Sequence, residues 1–228
     1  MVLTIILAAG LQLNPLTNIP SLLDSINERP RLLYHIKQAL SINSSHILIV
    51  VGKYRNIIEP MMEPYIIGMR QIHYIEQPED IHMNTIKSRG TGDAIKCCIP
   101  FLLKNQILFE TNILIIHGNG PLLSSNVISR LMRTPNTILV AKLKNPSNYG
   151  RIILNTDNTI AKIVEDKECS EEEAKIKIVN YGCYNIQLGV LEKFIPELTN
   201  KNKSNEYYLT DIVKIANKNF VSIIPCEL

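Results

Sequence analysis

The sequence predicts an α/β fold, in which a mainly parallel, mixed sheet carries helices on both faces. Two observations lead to this prediction. Short apolar runs rich in β-branched residues recur along the chain as far as Leu143, and segments with helical periodicity lie between them. The runs are apolar throughout rather than alternating, which is typical of strands that helices cover on both faces.

The predicted strands have four to seven residues each and are bounded by polar residues, Gly or Pro. They are residues 4–7, 46–51, 72–76, 112–117, 137–143 and 221–224. Crossover helices are predicted at residues 30–40 and 93–103, because apolar side chains there recur on a single helical face. Strands and helices that alternate in this way form strand-helix-strand units.

After Lys144 the pattern changes. Residues 150–154 and 160–164 flank four turn-forming residues, which predicts an antiparallel hairpin. A further strand is expected at residues 178–186, and a helix at residues 206–217. We expect residues 1–228 to form a single domain, in which the hairpin and the last helix build the second wall of a cleft against the sheet.

Composition excludes several classes of function. With 46% hydrophobic and 20% charged residues, the chain has the make-up of an ordinary soluble domain. The net charge is +3 and no basic run is long, so nucleic-acid binding is not expected. The apolar stretches are too short to span a membrane, and no basic segment precedes the first, which predicts a cytoplasmic protein. The five cysteines form no C-x-x-C pair and are expected to be reduced.

The first strand ends in small residues, Leu7, Ala8, Ala9 and Gly10, at the edge where open α/β sheets bind ligands. Small side chains let a flat ligand reach the backbone, although they serve a tightly packed turn equally well. The glycines of a dinucleotide-binding loop do not follow, which disfavours a nicotinamide-dependent dehydrogenase.

Two further glycine-containing segments lie at predicted element ends. Gly90, Thr91 and Gly92 precede a helix, where free backbone N–H groups can receive an anion or the edge of a base. Residues 117–121 follow a strand, a common place for a metal ligand. Taken singly each is more often a turn, and their joint placement favours a binding site.

Additional blocks extend the pattern along almost the whole chain. They are Pro20, Gln77, Gly118-x-x-Pro121-Leu122, Asn148-Tyr149-Gly150-Arg151, Ile163-Val164-Glu165-x-Lys167, Asn180-x-Gly182 and Glu206-Tyr207-Tyr208-Leu209-Thr210-Asp211. In order and spacing, the full set resembles the uridylyltransferase domain of bacterial N-acetylglucosamine-1-phosphate uridylyltransferase, a sugar nucleotidyltransferase. One insertion, residues 81–89, interrupts the match, and the β-helical acetyltransferase domain of those enzymes is not expected here.

The resemblance implies a Rossmann-like domain that joins UTP to N-acetylglucosamine 1-phosphate, releases pyrophosphate and uses Mg²⁺. It assigns nucleotide binding to Leu7, Ala8, Ala9, Gly10, Gln77, Gly90, Thr91, His117 and Gly118. It assigns sugar binding to Gly150, Glu165, Asn180 and Thr210. This sugar-binding part would contain the predicted hairpin.

The chain departs from the family where phosphates and metal are expected. Gln12, Asn14 and Ser21 stand where the family has a glycine, an arginine and a lysine. Asn119 replaces the magnesium-binding aspartate, so it is at best a weak metal ligand and a doubtful catalytic residue. The chain ends at Leu228, before the segment that supplies the second ligand.

Other basic residues could replace the missing cations, namely Arg29, Arg31, Lys53, Lys87 and Arg89. Without such replacement, the loss of phosphate-neutralising charge predicts slow turnover. Two functions therefore remain open. One is a nucleotidyltransferase with a degraded triphosphate and metal site, and the other is a non-catalytic module that binds a UDP-sugar or regulates an active relative.

Overall fold

A nine-stranded mixed sheet organises the part of the chain that the structure describes, with helices packed on both of its faces. The structure is a computed structural model that describes residues 1–82 and 85–228. The sheet order is β11-β10-β12-β8-β1-β4-β5, and β9 joins β12 on one side and β13 on the other. Its strands are β1 (Val2–Leu7), β4 (Ile47–Val51), β5 (Ile72–Glu76), β8 (Asn112–His117), β9 (Thr137–Lys142), β10 (Arg151–Leu154), β11 (Ile160–Val164), β12 (Ile178–Gln187) and β13 (Ile224–Glu227).

Two small hairpins lie outside this sheet. They are β2 (Ser25–Ile26) with β3 (Arg29–Pro30), and β6 (Asp80–His82) with β7 (Thr85–Lys87). The second hairpin occupies the insertion noted in the sequence, of which residues 83 and 84 lie outside the described chain. The helices are α1 (Arg31–Ser41), α2 (Arg55–Ile66), α3 (Thr91–Lys104), α4 (Ser125–Leu131), α5 (Glu171–Ala174), α6 (Leu188–Phe194) and α7 (Asp211–Lys218).

The parallel part of the sheet is β8-β1-β4-β5, in which β8, β1 and β4 are buried on both faces and the edge strand β5 is only partly buried. Successive residues of β1 face opposite cores. Leu3 and Ile5 pack with α3, α6 and α7, whereas Ile6 packs with α1 and α2. This two-sided burial explains the uninterrupted apolar runs and confirms the predicted fold class.

Most predicted elements are present, and two of them differ from the prediction by more than two residues at an end. The last strand was predicted at residues 221–224, but β13 spans Ile224–Glu227. Phe220 has a φ of +60° and the Val221 N–H donates to the Ala216 oxygen, so these residues close α7 before the strand begins. The last helix was predicted from residue 206, yet α7 begins at Asp211.

The late start of α7 has a tertiary cause. The segment before it is hydrogen bonded to the start of α3, with the Gly92 N–H donating to the Tyr207 oxygen at 2.7 Å and the Leu209 N–H donating to Thr91 Oγ1 at 3.0 Å. Groups bound in this way are not available for a helical turn. The same contacts bring the C-terminal segment to the edge of the sheet.

A glycine in the left-handed region bends β12 within the sheet. Gly182 has a φ of +74° and lies where the β12 register shifts between Asn180 and Tyr184. A side chain at Gly182 would meet the His117 ring only at ordinary contact distance, 3.6 Å. The requirement for glycine is therefore one of backbone conformation.

Replacing Gly182 by Ala should lower the free energy of unfolding by about 1–2 kcal/mol, the cost of a left-handed conformation for an L-residue. Gly10 is the matched control, because it has open space around a built Cβ and a φ outside the left-handed region. Gly10→Ala should leave stability unchanged or raise it by less than about 1 kcal/mol. Urea unfolding of the two variants measures the difference, and equal effects would contradict the conformational explanation.

Candidate functional site

A polar cleft lies at the carboxyl edge of the parallel strands and consists of two adjoining cavities. The smaller has a volume of about 180 Å³ and lies over the ends of β1, β5 and β8. The larger has a volume of about 570 Å³ and lies between this edge and the β10-β11 hairpin. Both cavities are lined by Gln12, Thr91, His117, Asn119 and Glu206, so the two lie side by side along the cleft.

The register of β1 against β8 explains why the loops after these two strands lie next to each other. Leu7, the last residue of β1, is paired with His117, the last residue of β8. The Gly118 N–H then donates to the Leu7 oxygen, and the Ala8 N–H donates to the Val50 oxygen, both at 2.8 Å. These bonds hold the loops that follow β1 and β8 next to each other.

The smaller cavity contains most of the residues predicted to bind nucleotide. It is lined by Leu7, Ala9, Gly10, Gln77, Gly90, Thr91 and His117. Ala8 and Gly118 lie behind its wall, in the hydrogen bonds between strand ends described above. A Cβ at Gly118 would be 2.9 Å from the Leu7 oxygen, so the close approach of these loops requires glycine there.

The Gln77 side chain lines the smaller cavity. Its Nε2 donates to the Gly90 oxygen and to Asp93 Oδ2, each at 3.0 Å. Both partners are acceptors, so the amide nitrogen must face them. Gln77 Oε1 is then left as an acceptor for a ligand N–H.

The start of α3 packs closely against the C-terminal segment. Gly90 has a φ of +92°, and a Cβ built there would lie 2.5 Å from the Tyr207 oxygen. Thr91 and Glu206 therefore line the same wall of the cleft although they are far apart in sequence.

All four residues predicted to bind a sugar line the larger cavity, namely Gly150, Glu165, Asn180 and Thr210. Glu165 Oε1 accepts a hydrogen bond from Thr210 Oγ1 at 2.6 Å, and burial raises the pKa of the Glu165 carboxyl. Asn180 Nδ2 donates to the hydroxyl oxygen of the buried Tyr184 at 2.7 Å. A Cβ at Gly150 would lie 2.9 Å from Ile163 Cγ2, so glycine lets the loop lie flat beside Glu165.

An ion pair between the buried Arg151 and the partly exposed Asp166 fixes the loop before β10. Arg151 is only 3% exposed, and its Nη2 lies 2.7 Å from Asp166 Oδ1. The Asn148 N–H donates to Asp166 Oδ2 at 3.0 Å, and this bond and the arginine hold the pKa of the Asp166 carboxyl below its usual value. Gly150 and Glu165 are the chain neighbours of this pair and are positioned by it.

His117 lies where the two cavities meet and is neutral at physiological pH. Burial lowers the pKa of its imidazole to about 4. Its ring stacks on Tyr184 with centroids 6.2 Å apart, and its Nε2 is buried without a hydrogen-bond partner among the described residues. An imidazole in this state provides a neutral polar surface and no positive charge.

Asn119 is bound to Gln12 across the cleft. Asn119 Nδ2 donates to Gln12 Oε1 at 2.7 Å, which joins the loop after β8 to the loop after β1. Asn14 is occupied elsewhere, since its Nδ2 donates to Asp24 Oδ1 at 2.7 Å and its Oδ1 accepts the Leu16 N–H. Ser21 lines the smaller cavity.

The donors around Asn119 do not fit a magnesium ion. Mg²⁺ binds carboxylate and water oxygens in octahedral geometry, whereas this loop offers one neutral amide whose nitrogen faces Gln12. Within residues 1–82 and 85–228, no three His, Cys, Asp or Glu side chains are grouped to hold a metal. The sequence predicted at best a weak metal site at Asn119, and this stays a prediction.

None of the basic residues considered as replacement cations is among the described residues that line the two cavities. Arg89 pairs with Asp93 at 3.2 Å, and Lys53 lies over the Tyr54 ring. Arg29 and Lys87 are exposed. Arg31 Nη1 donates to the Gly120 oxygen at 3.3 Å, directly behind the loop that carries Asn119.

Several lining residues were not predicted as site residues. They are Gln12, Ser21, Ser88, Pro121, Tyr149, Tyr181, Tyr184, Glu206 and Tyr208. Tyr149 and Tyr181 lie nearly parallel, with ring centroids 6.3 Å apart. Their approach depends on the bend in β12, which local sequence patterns do not reveal.

Among the described residues, no helix has the length and apolar character needed to cross a lipid bilayer.

Comparison with known proteins gives one family match. The sequence pattern of the Nucleotidyl transferase family matches residues 3–222. A "Probable UDP-N-acetylglucosamine pyrophosphorylase" of Acanthamoeba polyphaga mimivirus is 33% identical over 218 residues, which are 93% of this chain and 80% of the viral protein.

A bacterial relative is longer than this chain. The "Bifunctional protein GlmU" of Gloeothece citriformis is 32% identical over 223 residues, covering 95% of this chain and 46% of the relative. The chain thus spans somewhat less than half the length of this bacterial protein.

Among solved structures, a putative glucose-1-phosphate thymidylyltransferase from Bacillus anthracis superimposes with a TM-score of 0.73 at 18% identity, covering 100% of this chain and 87% of that one. The last likeness supports the fold.

Proposed function

Because the chain belongs to the nucleotidyl transferase family, as its sequence motifs predicted, we propose that its cleft joins UTP to N-acetylglucosamine 1-phosphate to give UDP-N-acetylglucosamine and pyrophosphate. In this proposal residues 1–228 act as one nucleotidyltransferase-like domain. The observation that carries the proposal is that the two cavities adjoin and share five lining residues, which places a pocket for a base beside a pocket for a sugar.

The smaller cavity suits uracil. Ala9 and Gly10 form a floor with little side-chain bulk, on which a flat ring can lie. Uracil has one ring N–H donor between two carbonyl acceptors, and Gln77 Oε1 is available to accept from that N–H. The Thr91 backbone N–H can serve one carbonyl oxygen, since the N–H groups of Gly90 and Gly92 are bound to Ser88 Oγ and to the Tyr207 oxygen.

The larger cavity suits an N-acetylated amino sugar. Thr210 occupies Glu165 Oε1, which leaves Oε2 to accept from sugar hydroxyls. A buried carboxylate that the wrong sugar left without a partner would be unfavourable, so this residue favours ligands that carry a hydroxyl at the right position. The Asn180 amide lies in the same wall.

The reaction would be a displacement at the α-phosphorus of UTP. An oxygen of the sugar phosphate attacks that phosphorus, the bond to the bridging oxygen breaks, and pyrophosphate leaves with the electron pair. Two anions approach each other in this step, so positioning and charge neutralisation govern its rate. The chain's own residues provide positioning by the two pockets and little positive charge between them.

The base pocket can be tested at Gly10 without disturbing the fold. Gly10→Phe should fill the smaller cavity and abolish binding of UDP and UDP-N-acetylglucosamine in isothermal titration calorimetry. Gly10→Ala adds a single carbon into open space and should bind nearly as the parent does. Gly10 is preferable to Thr91 for this purpose, because Thr91 Oγ1 accepts the Leu209 N–H and stabilises the wall itself.

Equal binding by the Phe and Ala variants, with both folded by circular dichroism, would exclude the smaller cavity as the base pocket.

The sugar pocket can be tested at Glu165. Glu165→Ala should weaken UDP-N-acetylglucosamine by roughly 1.5–3 kcal/mol, the range for hydrogen bonds to charged groups, and leave the affinity for UDP nearly unchanged. Glu172→Ala is the matched control, since Glu172 is exposed on the far side of α5 and pairs with Lys175. A loss of similar size for both ligands would assign Glu165 a structural role instead.

A second function, a non-catalytic module that binds a UDP-sugar, is favoured by the bond between Gln12 and Asn119. Neutral amides stand where the reacting phosphates would lie, and Arg89 and Lys53 are engaged elsewhere. Such a cleft can retain ligand affinity without accelerating the reaction.

A pyrophosphate-release assay separates the two functions. We expect the parent to turn over far below the ordinary range of about 1–10³ per second. The double change Ser21→Lys with Asn119→Asp adds a cation and an oxygen ligand where the cleft lacks them, and it should raise turnover in the presence of Mg²⁺. Asn14 is left unchanged because its side chain closes its own loop.

The matched control for that assay is Asn126→Asp with Ser129→Lys, which makes the same charge changes at exposed positions of α4. Ordinary turnover by the parent, with no gain in the double variant, would mean that other groups neutralise the phosphates.

A further inference from the structure

We propose that this chain binds the diphosphate of a nucleoside diphosphate sugar without a divalent cation, through the side-chain amides of Gln12 and Asn119. The inference rests on the proposed function, because it concerns the same cleft. The proposed function does not say which groups hold the phosphates, whereas this inference assigns them to Gln12 and Asn119.

The two amides lie where the diphosphate must pass. Gln12 follows β1, Asn119 follows β8, and both line the smaller and the larger cavity. A ligand with its base in the smaller cavity and its sugar in the larger one has its phosphates at this junction. The hydrogen bond of 2.7 Å between the amides holds both side chains at that place before a ligand arrives.

The bridge leaves donors free for an anion. Two primary amides have four N–H bonds and two carbonyl oxygens, and the hydrogen bond between them uses one of each. Three N–H donors and one oxygen remain, and the same numbers remain if both amides are turned round. Phosphate oxygens only accept hydrogen bonds, so they match the surplus of donors.

The same geometry disfavours a cation between these loops. An amide pair in which nitrogen meets oxygen has one oxygen left to offer, whereas a hard cation needs several, charged ones above all. The arrangement therefore fits the anion itself better than it fits a metal that would bridge to the anion.

Positive charge is supplied from behind the loop by Arg31. Its Nη1 donates to the oxygen of Gly120, the residue after Asn119, and it has no ion-pair partner among the described residues. Glu206 faces the cleft from the other wall, and burial raises the pKa of its carboxyl. Arg31 and the amide dipoles favour an anion at the junction, whereas the Glu206 carboxyl on the other wall does not contribute to holding it.

The test is the affinity for UDP-N-acetylglucosamine measured by calorimetry in EDTA and again in excess Mg²⁺. We expect the parent values to agree within about twofold. Asn119→Ala should lose about tenfold or more in both buffers, the weaker end of the range for hydrogen bonds to a charged group. Its affinity for uridine, which has no phosphate, should not change in ligand-observed NMR.

Asn119→Asp gives the opposite signature. A carboxylate at this position repels the diphosphate in EDTA and should weaken binding at least as much as alanine does, while Mg²⁺ should restore much of the loss. Asn126→Ala and Asn126→Asp, on the exposed face of α4, are the matched controls and should behave as the parent.

Parent affinity that rises about tenfold or more with Mg²⁺ would overturn this proposal while leaving the proposed function intact. The proposal is likewise overturned if Asn119→Ala binds as the parent, or loses uridine and the sugar nucleotide equally. Failure of the parent to bind either ligand in either buffer would overturn the proposed function together with it.

Discussion

The parallel pairing of β1 with β8 is the constraint on which the cleft depends. With Leu7 opposite His117, both strands end at the same level, and the loops after them start side by side. Because β1 is apolar on both faces, a shift of one residue would still place apolar side chains in both cores, but it would move the strand ends and the loops after them out of this alignment. The bond from Gly118 to Leu7, the bridge from Asn119 to Gln12 and the position of His117 all follow from it.

Much of this arrangement could be predicted from the sequence, because buried parallel strands have a strong local signature. Residues 4–7 and 112–117 were found by composition alone, and the small residues after the first strand marked the ligand edge. The predictions failed where contacts between residues far apart in the sequence determine the local structure. Residues 206–210 have helical character, but the Tyr207 oxygen and the Leu209 N–H are bound to the start of α3. The helix α2 contains Pro60 and Pro64, which interrupt the usual sequence signal of a helix.

In the candidate site too, some features could be predicted from the sequence and others could not. The residues predicted for the sugar pocket all line the larger cavity, since their motifs are compact and lie on the hairpin, on β12 and just before α7. What could not be predicted was how the substituted positions use their side chains. Asn14 and Asn119 both stand in loops near the cleft, yet Asn14 closes its own turn whereas Asn119 reaches across to Gln12. The local sequence does not show whether an asparagine side chain bonds within its own loop or to another loop. Only the relative position of the two loops decides this.

A nucleotidyltransferase and a non-catalytic binding module could have a cleft of the same shape. They differ in whether the protein stabilises the transition state more than the bound substrates. Contacts to the base and to the sugar are the same in the substrate complex and in the transition state, so they favour binding without favouring reaction. Only charge near the α-phosphorus distinguishes the two states. Neutral amides at the junction, with Arg31 one layer behind them, stabilise a diphosphate that is already formed. If the proposed binding mode holds, such a cleft would retain a finished sugar nucleotide more readily than it would make one, and charge at the junction rather than either pocket would limit its catalytic rate.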